Sequence, residues 1–220
     1  NKSNFKILIQ RKMKYIVSVT FVLLVLFNNC FPQSGWFNQY SNTTNHLRDV
    51  HFVNSRLGWA VGWYNTICKT TNGGLSWFPQ YSPSVQNSFQ SCYFVNELTG
   101  WICGGSTISN TSYIYKTTNG GNNWFIQYSS SSGVLTGVYF SGISNGGAVG
   151  YGGKILVTSD GGDNWIAKSS GTSVNLTNIF FKDSINGWVV GDSGIIIKTT
   201  NGGAVWSPYY SGTNQNLEGL

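Results

Sequence analysis

Residues 69–77 read KTTNGGLSW, and the pattern returns as KTTNGGNNW at 116–124, VTSDGGDNW at 157–165 and KTTNGGAVW at 198–206. The closing Trp recurs at 77, 124, 165 and 206, and Trp36, which opens WFNQY at 36–40, matches WFPQY at 77–81. The spacings are 41, 47, 41 and 41 residues. A fixed period of this size is the mark of a repeat architecture.

Two further landmarks keep the same phase. One is LGWAVG at 57–62, TGWICG at 99–104, GGAVG at 146–150 and NGWVVG at 187–191; the other, upstream, is LRDVHFV at 47–53, FQSCYFV at 89–95, LTGVYF at 135–140 and LTNIFF at 176–181. Each unit therefore holds four short β-prone runs. Strands of about 5–6 residues joined by connections of about 2–5 fill the observed period. Four strands in a repeated unit of about 40–45 residues predict an all-β chain of four-stranded antiparallel propeller blades. The units span about 47–81, 89–128, 135–169 and 176–210, with 36–40 as a lone outer strand and 216–220 as the start of a further unit.

The opening motif falls between the third and fourth runs of each unit. Asn-Gly or Asp-Gly at 72–73, 119–120, 160–161 and 201–202 is a strong hairpin signal, because both residues tolerate positive φ. The Asn or Asp side chain can accept from backbone just ahead. Thr70, Thr117, Thr158 and Thr199 can bond across the turn, and Trp77, Trp124, Trp165 and Trp206 then cover it.

The spacing Ser/Thr-x-Asp-x-Gly-x-x-Trp resembles the Asp-box of the bacterial neuraminidase repeat. Thr158, Asp160, Gly162 and Trp165 match it fully; Asn72, Asn119 and Asn201 replace the Asp in the units carrying Gly74, Gly121 and Gly203. With the GWAVG-like second runs, residues 35–220 resemble the photosystem II stability/assembly factor-like branch of these propellers. The resemblance implies a seven-bladed ring, of which about four blades are present here. It also implies assembly or stabilisation of a membrane protein complex, photosystem II in phototrophs. In that family the Asp-box is a folding element away from any active site.

The net charge of +6 suggests nucleic acid, but five of the basic residues precede residue 31, and eight basic residues face seven acids from there on. The repeats therefore carry no basic footprint for nucleic acid. Met13 opens MKYIVSVTFVLLVLFNNC, in which Lys14 precedes an apolar run from Tyr15 to Phe27. A mostly apolar run of 13 residues is short for a membrane span, so 13–34 reads as a signal peptide and 1–12 as upstream translation. A retained anchor helix is the alternative. The first reading predicts an exported, periplasmic, cell-envelope or extracellular chain without a membrane span after cleavage. Cys30 lacks the small residue expected before a lipidated cysteine.

Cys68, Cys92 and Cys103 each align with apolar positions of the other units, which predicts buried thiols acting as small hydrophobes. A Cys92–Cys103 bridge is open, since neighbouring strands carry them. His46 and His51 belong to another unit, so no metal or cofactor site is expected.

Chemistry finds little support. Arg48 and Arg56 are the two arginines of the repeats, too few for the arginine triad that resemblance to a sialidase would require. A glycosidase needs two facing carboxylates, whereas Asp49, Glu97, Asp183, Asp192 and Glu218 share no landmark and Asp160 and Asp163 share one hairpin. Lys69, Lys116 and Lys198 recur at one position, where a charge per blade would guard a sheet edge. The sequence thus favours a non-catalytic scaffold that binds a protein or membrane protein complex. The alternative is a sialidase-like glycoside hydrolase with its catalytic residues in further blades, and carbohydrate stays open as a second ligand class.

The binding face is expected opposite the uniform hairpins, where the second unit carries a longer loop, GGSTISNTSY at 104–113, and where Trp63, Tyr64 and Tyr151 sit. Trp59, Trp101 and Trp188 share a slot where the third unit has Gly147, and are expected buried between blades. The restart at Leu217, 41 residues after Leu176, and the lone N-terminal strand predict a longer propeller.

Overall fold

Short β-prone runs broken by Gly-rich turns, the second run of each unit buried on both faces, give short strands throughout the described residues, 38–80 and 88–219 of a computed structural model. The first sheet holds β1 (Leu47–Phe52), β2 (Gly58–Gly62), β3 (Thr66–Thr70) and β4 (Phe78–Pro79). The second holds β5 (Ser88–Phe94), β6 (Gly100–Ser106), β7 (Thr111–Thr117) and β8 (Phe125–Ser130). The third holds β9 (Leu135–Phe140), β10 (Gly146–Gly150), β11 (Lys154–Thr158) and β12 (Ile166–Lys168). The fourth holds β13 (Leu176–Phe181), β14 (Gly187–Gly191), β15 (Ile196–Thr199) and β16 (Ser207–Tyr209). Each sheet is an antiparallel meander in chain order. The first strands pack in series, β1 on β5, β5 on β9 and β9 on β13, so they form the inner wall. The chain is all-β and forms four blades of a partial β-propeller.

The repeated Gly-Trp is explained by what lies over it. A Cβ at Gly100 would come within 2.3 Å of the Phe94 ring, which needs that space. Phe94 stacks at 3.6 Å on Trp59 of the preceding blade, and Phe140 stacks at 3.5 Å on Trp101. Both tryptophans are fully buried. At the third blade Gly147 replaces the Trp, and the side chains of Ile179 and Phe181 approach instead. Trp188 is half-buried where Trp59 and Trp101 are fully buried, since no described blade follows to cover it.

The four hairpins share one network. In the first, Thr70 Oγ1 donates to Asn72 Oδ1 (2.9 Å) and accepts from Gly74 N (2.9 Å), while Asn72 Oδ1 also accepts from Ser76 N (3.0 Å). Thr117 with Asn119, Thr158 with Asp160 and Thr199 with Asn201 repeat it. Gly73 and Gly74 sit at φ of 71° and 88°, which L side chains rarely adopt. The closing Trp77, Trp124 and Trp206 are buried, and Trp165 is half-buried.

The lysines do not guard an edge. Lys69, Lys116 and Lys198 lie on third strands, inside the sheets. Lys69 Nζ instead donates across to Gly120 O of the next blade at 2.8 Å, and Lys116 Nζ reaches Asp163 at 3.4 Å. Each also lies over the tryptophan of its own second strand, at 5.2–5.7 Å from the ring centroid of Trp59, Trp101 or Trp188.

Cys92 and Cys103 are free and buried, as is Cys68. Cys92 opposes Ile102 and Cys103 opposes Ser91. The two thiols therefore occupy alternate positions of the pleat and point to opposite faces, which rules out a bridge.

The segments 1–12 and 13–34 and Trp36 lie outside the described residues. Residues 38–40 and 216–219 carry no strand. Even so, Leu217 N donates to Gly191 O at 3.0 Å, and Thr177 Oγ1 donates to Leu217 O as Thr136 Oγ1 does to Leu176 O.

Candidate functional site

The turns between second and third strands lie at the end of each blade where the first strand begins. The hairpins lie at the other end. At the former end Trp63, Tyr64 and Tyr151 line one cavity of about 330 Å³ with Arg48, Gln90, Ile108 and Val134. Three blades contribute. Arg48 and Gln90 occupy matching positions near the starts of β1 and β5, and Arg48 Nε donates to Gln90 Oε1 at 3.1 Å. The expected 104–113 loop is mostly strand, since β6 and β7 pair out to Ser106 and Thr111, and Ile108 in the short turn between them is almost fully exposed.

Local structure sets each aromatic. Trp63 N donates to His46 O (2.9 Å), and its ring meets the His46 ring edge-on at 4.7 Å. Tyr64 and Asn65 both take positive φ, 53° and 59°. The matching turn of the third blade uses Gly152 at φ 68°. Tyrosine there carries a strain of about 1–2 kcal/mol, and 74% of it is exposed. Tyr64 and Asn65 are the central pair of a two-residue turn closed by Thr66 N donating to Trp63 O at 3.2 Å, a turn that requires positive φ at both positions.

Arg48, Gln90 and Tyr151 continue into a second, polar cavity of about 480 Å³ along the inner strands. Asp49, Asp192 and Glu218 meet in it. Distance along the chain hid this convergence: the first strands of all blades gather at the inner wall. The two aspartates are committed to structure. Asp49 accepts from Val50 N (2.8 Å), Ser91 Oγ (2.8 Å) and Cys92 N (2.9 Å), tying the first blade to the second. Asp192 accepts from Asn175 Nδ2 (3.0 Å), and Asn175 accepts from Gly152 N.

The sequence singled out the three aromatics and the 104–113 segment that holds Ile108, and did not single out Arg48, Gln90 or Val134 for this face. Arg48 and Gln90 were visible as the most polar members of the first-strand series, had that series been read for the end at which it begins.

The family model for photosynthesis system II assembly factor YCF48 matches residues 29–127 and 127–213. The chain belongs to this family. A comparison with curated proteins found no match. Among solved structures, an ancestral GH74 enzyme is similar at 16% identity and TM-score 0.61, covering 80% of this chain and 25% of its own. GH74 from Niastella koreensis is similar at 16% identity and TM-score 0.54, covering 74% and 30%. The chain thus spans a quarter to a third of the length of these enzymes, and the likeness is one of fold. YCF48 bound to D1 peptide is similar at 18% identity and TM-score 0.32, covering 79% and 86%.

Proposed function

We propose that this YCF48-family chain is an exported, non-catalytic propeller that serves as a protein-binding assembly or stability scaffold, directed at photosystem II where the host is phototrophic. The observation that carries the reading is the cavity of Trp63, Tyr64 and Tyr151 with Arg48, built across three blades on a rigid frame. Exposed aromatics beside one guanidinium suit a peptide, giving large contact area and one directional polar anchor. The family membership makes a membrane-complex subunit the first partner to test.

A labelled D1 peptide is the probe, read by fluorescence anisotropy against the chain and against a Trp63→Ala/Tyr64→Ala/Tyr151→Ala variant. Saturable binding, reduced more than about 10-fold in the variant with melting unchanged, is the expected result. Equal binding by both proteins removes this face from the account.

A further inference from the structure

Every first strand carries one irregularity at the same place. The register of β1 on β2, β5 on β6, β9 on β10 and β13 on β14 shifts after the first rung, leaving Arg48, Gln90, Thr136 and Thr177 as the extra residues. A bulge of this kind re-aims the side chain it carries. In the third and fourth blades that side chain is a stitch. Thr136 Oγ1 donates to Val149 O of its own blade (3.2 Å) and to Leu176 O of the next (2.6 Å), and Thr177 Oγ1 repeats both bonds to Val190 O and Leu217 O.

The first and second blades give up that stitch. Arg48 and Gln90 bond each other instead, Nε to Oε1 at 3.1 Å, and both residues line the aromatic cavity and the polar one, so the pair stands where the two meet. A position that breaks the rule its own repeat sets elsewhere is where a binding role is expected. The bond occupies Arg48 Nε and Gln90 Oε1. It leaves the two NH2 ends of the guanidinium and the Gln90 amide NH2 without a partner among the described residues. No carboxylate lines the aromatic cavity, and among the described residues none comes within ion-pair distance of Arg48. The pair is thus an array of donors facing no acceptor.

We propose that Arg48 and Gln90 form a carboxylate-binding pair that takes one Asp or Glu side chain from within the partner peptide; the proposal rests on the reading of the aromatic cavity as a peptide site. A guanidinium meets a carboxylate with two parallel N–H···O bonds, a match that fixes orientation as well as strength. Arg48 is the one charged residue lining the aromatic cavity. An acid in mid-segment suits the place better than a terminal one, since a cavity opens on each side of the pair and gives the chain a path beyond it. On one side Trp63 and Tyr151 take apolar neighbours of the acid. On the other, Asp49, Asp192 and Glu218 repel a second acid, so the site selects a single negative charge and not an acidic run.

The probes are the capped tripeptides acetyl-Phe-Glu-Leu-amide and acetyl-Phe-Gln-Leu-amide, titrated into the isotope-labelled whole chain and read by NMR at the Arg48 Nε–H and the Trp63 indole N–H. The Glu peptide should shift both resonances with Kd of about 1 mM, and the Gln peptide should bind on the order of 10-fold more weakly. Arg48→Thr combined with Gln90→Thr places the residue of the third and fourth blades in both bulges, where each hydroxyl can donate to the next blade. That variant should hold its melting temperature and bind the two peptides alike, as weakly as the parent binds the Gln peptide. A pair with a merely structural role would lower the melting temperature and keep the preference for Glu, which overturns the proposal. A Trp63 response equal for both peptides, with Arg48 silent, overturns the carboxylate pair and leaves the peptide face standing. Silence of both resonances at about 10 mM peptide also overturns the pair, and D1-peptide anisotropy then judges the face by itself.

Discussion

Trp59 donates its indole N–H to the carbonyl of Gly120 at 3.2 Å, across the boundary between the first and second blades. Lys69 Nζ donates to the same carbonyl at 2.8 Å. Trp101 repeats the first contact, to Gly161 O at 3.1 Å. The hairpins of the second and third blades are thus held by the second strand of the blade before them. Trp59→Ala should cost about 3–5 kcal/mol in a urea melt. Trp59→Phe should lose about 1 kcal/mol more than Trp124→Phe, because the Trp124 indole N–H is buried without a partner. Trp188→Ala should cost clearly less than Trp59→Ala, its ring being half-exposed.

Lys69→Met keeps the stem over Trp59 and removes the donor to Gly120. The loss should be about 1–2 kcal/mol by the same melt. Lys198→Met should change stability by less than about 0.5 kcal/mol, since its contact is with Trp188 of its own blade.

Thr158 accepts from Gly162 N and donates to Asp160 in a buried turn. Thr158→Val fills the same volume and leaves that N–H unpaired, which should cost about 1–3 kcal/mol. Asp160→Asn should be mildly destabilising at pH 7, because Asn72, Asn119 and Asn201 show that Asn keeps the Oδ1 contacts while the bond from Asn164 Nδ2 to Oδ2 is lost.

The strained Tyr64 gives an opposed pair of outcomes. Tyr64→Gly should leave the melting temperature unchanged or raise it, since glycine adopts the 53° φ without strain. The same substitution should weaken D1-peptide binding. A stabilised protein with undiminished binding would show that the ring has no part in the site.

Acid should act in two steps. Burial holds the His51 imidazole below its ordinary 6.5, with Asp49 pulling the other way. The unfolded chain therefore takes up that proton first. The contribution of neutral His51 is complete above about pH 6.5 and is lost as pH falls through the lowered folded value. Asp160 is held at about 2 by the side chain and backbone of Asn164 and by Thr158. Its contribution is present above its ordinary 3.8 and fades as pH falls towards 2. Melting temperature should fall below neutral pH and again in strong acid; His51→Gln should flatten the first limb and Asp160→Asn the second.

The fold was legible because each hairpin is written out four times: Asn-Gly fixes the turn, Thr70 and its equivalents close it, and the Trp period counts the blades. What the sequence hid were contacts between units. Lys69 reads as one charge per blade at a sheet edge until the next blade brings Gly120 to it. Asp49, Asp192 and Glu218 look scattered because the inner wall gathers residues about 140 or more positions apart. The aromatic cavity was half legible: loop position singled out Trp63, Tyr64 and Tyr151, but Arg48 and Ile108 join them only once three blades stand side by side.

The most direct test of partner binding at the aromatic cavity is hydrogen exchange of the full chain with and without D1 peptide. Protection gathered at residues 62–66, 104–113 and 150–154 is the predicted result. Protection confined to the hairpins around Gly73, Gly120, Gly161 and Gly202, or to no segment at saturating peptide, would contradict it.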